Sequence, residues 1–132
     1  MSEKFDLGLK IRKAVVGDEY VNRSLDNATP FNSALQTLVT EYCWGEVWGR
    51  GGISHRDRSM INLAMIAVLN RPHELTLHLR GALKNGVTPE EIREVLLQVA
   101  IYAGVPASID AFRLATSVLQ EEGIDLNSVA AD

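Results

Sequence analysis

The chain of 132 residues contains a single cysteine, Cys43, so it has no internal disulfide and no thiol pair for metal or redox chemistry. Aromatic residues are scarce, at 6%. The longest apolar run, Leu63 to Leu69, is far too short to span a bilayer. The opening residues Met1-Ser2-Glu3-Lys4-Phe5-Asp6 hold no apolar signal region. No basic patch carries interleaved aromatics, and the net charge is −4, which argues against nucleic-acid binding. The histidines lack the close spacing of a zinc site. No segment alternates with the period of a half-buried strand. These absences set the expectation of a cytoplasmic, all-α protein without membrane, nucleic-acid or metal partners.

What is present reads as helices. An apolar fraction of 46% and a charged fraction of 23% are those of an ordinary globular domain. Leu7, Ile11, Ala14 and Val15 predict a helix over 5–16, stopped by Gly17. Residues 18–28 are polar and irregular. Thr29-Pro30 reads as an N-cap and first-turn proline, opening a helix through Phe31, Leu35, Leu38, Val39 and Tyr42. Ser54 caps a further helix that is apolar enough to be buried all round. Pro72 restarts the chain, and Asn85-Gly86 ends that helix. Thr88-Pro89-Glu90-Glu91 is a capping box with proline at the first position. Its helix ends at Gly104, and a last one runs from about Pro106 to Gly123. The expectation is five to six helices in one domain, 1–123, with a loose tail over 124–132. Such a short chain supplies little cover for its apolar helices, which predicts a homo-oligomer.

Chemistry concentrates in two places. Trp44-Gly45-Glu46-Val47-Trp48-Gly49-Arg50 runs into Gly51-Gly52 and is followed by Arg56 and Arg58. Aromatic walls, a carboxylate and three arginines at a chain bend suit a small-anion site, since a guanidinium matches a carboxylate in planar, two-point fashion. The alternative is a surface Glu46–Arg50 pair beside two tryptophans of the core. Second, Arg71, Glu74 and His78 line one border of an apolar helical stripe, where they can tune one another's protonation. The same spacing also fits a solvated Glu74–His78 pair. His55 and His73 read as surface histidines.

Five stretches carry a resemblance across Lys10 to Leu119: Val21-Asn22-Arg23-Ser24-Leu25, Trp44 to Arg50, Leu77-His78-Leu79-Arg80, Asn85-Gly86-Val87-Thr88, and Tyr102-Ala103-Gly104-Val105-Pro106-Ala107. On these the chain resembles the carboxymuconolactone decarboxylases of the alkylhydroperoxidase D-like superfamily. The resemblance implies an all-helical bundle, oligomeric and often hexameric. The redox members of that superfamily carry Cys-x-x-Cys ahead of a histidine; aligned on His78, the two positions hold Arg71 and Glu74, so thiol peroxidase chemistry is excluded.

The implied reaction converts 4-carboxymuconolactone to 3-oxoadipate enol-lactone and carbon dioxide, in protocatechuate catabolism through the β-ketoadipate pathway. Its substrate is a small dianionic lactone, and the lactone carbonyl is the electron sink, so no cofactor and no metal is expected. On this reading His78 and Glu46 are the catalytic candidates. Arg50, Arg58 and Arg71 are the candidate substrate clamps, and Trp44 and Trp48 exclude water or line a subunit interface. A non-catalytic oligomeric binding protein, or a lyase acting on a related lactone, is the alternative.

Overall fold

Ser2 starts the first helix, its hydroxyl accepting the N–H of Phe5 at 3.0 Å as an N-cap does. In a computed structural model of the chain, which describes residues 2–131, helix α1 spans Glu3–Val16 and stops at Gly17, where φ is +95°. That conformation is costly for residues with a Cβ, and it lets α2 begin at once, over Asp18–Asp26. The sequence reads this stretch as irregular, and the structure corrects that reading. Only Val21 of α2 is buried, so no apolar stripe is visible. The helix has Asp18 and Glu19 in its first turn and Arg23 in its last, charges matched to the helix dipole.

The expected helix from Pro30 also differs. Thr29–Asn32 forms a turn in which Thr29 N–H donates to Asn32 Oδ1 at 2.7 Å. Helix α3 is short, Ser33–Leu38. It passes directly into a π-helical stretch, Val39–Val47, closed by Trp48 N–H donating to the Cys43 carbonyl at 3.0 Å. Five-residue hydrogen bonding of this kind is rare and is common at functional sites. Here α1 packs along the stretch, and glycines let the backbones touch. A Cβ on Gly45 would stand 2.6 Å from the Lys4 carbonyl oxygen. Gly45 therefore permits a close approach, whereas Gly51 and Gly52 form the open turn that follows.

The remaining helices are α4 (His55–Leu69), α5 (Pro72–Lys84), α6 (Pro89–Ala103) and α7 (Val105–Glu121). The capping box at Thr88 is present in both directions, Glu91 N–H to Thr88 Oγ1 at 3.1 Å and Thr88 N–H to Glu91 Oε1 at 3.0 Å. Among the described residues there are thus seven α-helices and no strand. The count exceeds the five to six expected because α2 carries no apolar periodicity to announce it.

The chain divides into two compact units, residues 1–55 and 56–132. The first has a core of Ile11, Val15, Trp44 and Trp48. The second gathers Leu63, Ala67, Leu75, Leu79, Ile92, Leu96, Ala115 and Val118 with their neighbours. Helix α4 is not buried all round. Ser59, Leu63 and Ala67 face the core at four-residue spacing, while Ile61, Met65, Val68 and Leu69 are about half exposed. One layer of helices covers one face only. Nor is the tail loose. Ile124 and Leu126 pack against the second core, Leu126–Ser128 makes a 3₁₀ turn, and Ala130 is held by Arg93 Nη1 at 2.6 Å and Glu90 Oε2 at 2.9 Å. No described helix is long and apolar enough to cross a membrane.

Candidate functional site

In the first unit the two tryptophans meet, with ring centroids 4.8 Å apart and planes tilted by 32°. Both are buried, at 4% exposure, in the core of that unit, so their rings serve packing there. His55 stands edge-on to Trp48 at 5.7 Å. Its Nε2 lies 3.1 Å from the Trp48 carbonyl oxygen, a contact that requires a proton on Nε2 because a carbonyl only accepts. His55 thus closes the end of the π-helical stretch.

Glu46 is exposed and pairs with Lys4 Nζ at 2.9 Å. The hydrogen bond from Lys4 and its charge hold the carboxyl below the usual glutamate range, and Arg50 adds a weaker effect of the same sign. A carboxylate held ionised in this way is a weaker base than a free one and carries no proton to give near neutrality. The stretch ends at Val47 and Arg50 N–H closes a turn on the Val47 carbonyl, so no continuous α-helix sets a Glu46–Arg50 spacing. Arg50 is exposed beside the glycine turn.

The second unit carries the other candidates. His78 lies on the buried face of α5 with Leu75, Leu79 and Ala82, at 8% exposure. Burial pushes its imidazole below the ordinary histidine value, and the charge of Glu74, one turn earlier, works in the opposite direction without winning. The two groups differ in setting, Glu74 being exposed and the His78 ring enclosed. Arg58 is half-buried on α4, with its Nε fully enclosed. Arg71 stands just before α5 and is exposed; its Nη1 donates to the Leu69 carbonyl at 3.0 Å, closing the turn after α4. Arg56 pairs with Glu91, so this arginine of the predicted anion cluster secures the capping box of α6 instead. No three His, Cys, Asp or Glu side chains group as metal ligands among the described residues.

One charged residue escapes the sequence reading. Arg12 is buried, at 5% exposure, on the packed face of α1. It sits four residues after Gly8 and three before Val15, a register that could have revealed it, although a charge at such a position is uncommon.

The model of the carboxymuconolactone decarboxylase family matches residues 33–117, from α3 into α7. The chain belongs to that family. A 4-carboxymuconolactone decarboxylase from Acinetobacter baylyi is 39% identical to this family member over 98% of the chain and 97% of the relative. A nitrosuccinic acid decarboxylase from Metarhizium robertsii is 50% identical over 81% of the chain and 75% of the relative. The all-helical fold agrees with this membership. The protein is a decarboxylase of the carboxymuconolactone decarboxylase family.

Proposed function

We propose that this decarboxylase converts 4-carboxymuconolactone to 3-oxoadipate enol-lactone and carbon dioxide, a step of protocatechuate breakdown through the β-ketoadipate pathway, and that it does so without a cofactor. The observation that carries the reading is likeness along almost the whole chain, 39% over 98% of it, to a protein of that name. The buried imidazole of His78 supplies a group suited to the chemistry. When the ring carboxylate leaves, its bonding electrons pass through the ring double bond into the lactone carbonyl and form a dienolate. Protonation at the carbon next to that carbonyl completes the reaction. Because burial favours uncharged His78, its ring N–H is a donor for the lactone oxygen, placed where water cannot weaken it. A dianionic substrate opposes the effect of burial and draws a proton onto the ring, which then has one to give to carbon. Arg50 and Arg58 are assigned to substrate carboxylates. Glu46 is a weaker candidate for proton carrier, given its ion pair with Lys4.

A homo-oligomer belongs to this proposal. In the second unit an apolar groove of about 530 Å³ runs between α4 and α6, lined by Met65, Val68, Leu69, Val99, Tyr102 and Ala103. Ile101 and Tyr102 are 80% and 82% exposed. An exposed apolar groove bordered by projecting apolar side chains is the kind of surface that meets a partner. The occupant we assign is a second copy, since projecting side chains and a hollow adjoin on one surface, as a self-complementary interface requires.

The 50% identity to a nitrosuccinic acid decarboxylase favours a second reading of the same chemical type. There, too, a dicarboxylate would lose carbon dioxide from a carbon whose electrons an adjacent acceptor, a nitro group, takes up. The deciding experiment offers both acids to purified protein with chelator present and follows carbon dioxide and product. Turnover of 4-carboxymuconolactone is expected. Turnover of nitrosuccinate alone would replace the first reading with the second, and folded protein inert toward both would refute the pair.

A further inference from the structure

We propose that Arg12, framed by Gln36 and Thr40, is a binding site for a carboxylate. Arg12 is 5% exposed. Both hydrogens of its Nη1 are committed, one to Gln36 Oε1 at 3.0 Å and one to Thr40 Oγ1 at 3.2 Å. These acceptors are neutral, and among the described residues no carboxylate pairs with this guanidinium. The first unit has thus placed a full positive charge in a largely enclosed position where neutral side chains are its protein partners. Buried charges in proteins are normally matched by an opposite charge, because desolvation of a lone ion outweighs what dipoles return.

The committed donors also define what would bind. With Nη1 occupied, Nε–H and the two hydrogens of Nη2 remain. They form the edge of the fork that a carboxylate grips through two parallel hydrogen bonds. One uncompensated charge matches one carboxylate. Two sources can supply it, a small organic acid or an aspartate or glutamate of a second copy. The site stands whether or not 4-carboxymuconolactone is the substrate.

Cys43, the only cysteine and an exposed one, is a local reporter. Burial raises its thiol above the usual range while the charge of Arg12 works against that. A carboxylate on Arg12 would cancel the help, lower the fraction of Cys43 present as thiolate and so slow its alkylation. The test measures alkylation of Cys43 in the full chain by iodoacetamide at mildly alkaline pH, in acetate or in chloride at equal ionic strength. The molecular mass is measured by sedimentation in parallel. Acetate is expected to slow wild type by at least about twofold. In Gln36→Glu, which supplies a carboxylate internally, alkylation is expected to be slow already and indifferent to acetate. If acetate does nothing to wild type but Gln36→Glu lowers the mass of the assembly, a second copy provides the carboxylate and the site is upheld. Acetate acting equally on both proteins, or neither acetate nor the substitution having any effect, overturns the proposal. Gln36 is only partly buried, and circular dichroism verifies that the variant is folded.

Discussion

Gly8 of α1 lies directly against the backbone of Thr40: a Cβ at Gly8 would stand 1.9 Å from the Thr40 carbonyl oxygen and 2.9 Å from the amide nitrogen of Gly45. Both contacts are to backbone atoms of the π-helical stretch, which no rotamer change can move aside. The packing of the first unit, and the position of Trp44 and Trp48 in its core, depend on this approach. Gly8→Ala is therefore expected to destabilise by about 1–3 kcal/mol or more, as overpacking of a tight site does. Urea unfolding followed by tryptophan fluorescence checks it, since both tryptophans lie in this unit. Gly51→Ala, where nothing stands within 4 Å, is the control and is expected to change little.

His78 links stability to pH. Burial lowers its folded-state value below the 6.5 of a free histidine, so between the two values the unfolded chain binds the extra proton. Stability is then complete above about pH 6.5 and falls as pH drops toward the folded-state value. Denaturant unfolding at pH 7 and pH 5 is expected to show a loss in wild type that is smaller in His78→Gln. An equal loss in both would mean that the imidazole is not held uncharged by the fold.

Kinetics separate the proposed roles. Removing a donor and proton source should cut kcat by roughly 10²–10⁴, and that is the expectation for His78→Ala, with folding verified by circular dichroism. Glu46→Gln removes a carboxylate already engaged by Lys4 and should cost less than about tenfold, below what a lost general acid costs. Full activity in both variants would sink the mechanism.

Arg58→Met tests the carboxylate clamp. Hydrogen bonds to charged groups contribute about 1.5–3 kcal/mol, so kcat/KM is expected to fall about ten- to a hundredfold. The loss should appear mainly in KM if Arg58 grips substrate and transition state alike. A wild-type value would remove Arg58 from the site.

Tyr102 tests the oligomer. A charge placed at this exposed position on α6, in Tyr102→Glu, should leave helix content intact and lower the mass in sedimentation, because an unpaired charge in an apolar interface is costly. An unchanged mass would show that the groove between α4 and α6 is not where copies meet.

Much of this protein was legible in its sequence because the signals are local. Gly17, Asn85-Gly86 and Gly104 mark helix ends through backbone conformation, and Thr88 to Glu91 marks a start through hydrogen bonds three residues apart. The motifs around Trp44 and His78 carry the family for the same reason. Helix α2 stayed hidden because one buried residue, Val21, makes no period. Tertiary structure alone decided the rest. The close approach of α1 to the π-helical stretch Val39–Val47 is a contact between residues far apart in the chain. The pairing of Glu46 with Lys4 rather than Arg50, and, among the described residues, the bonding of Arg12 to Gln36 and Thr40 and to no carboxylate, are likewise contacts made only in the folded chain. A sequence fixes which charges are available, but the energy of each depends on its distance to others and on the water left around it, and only the folded chain sets those.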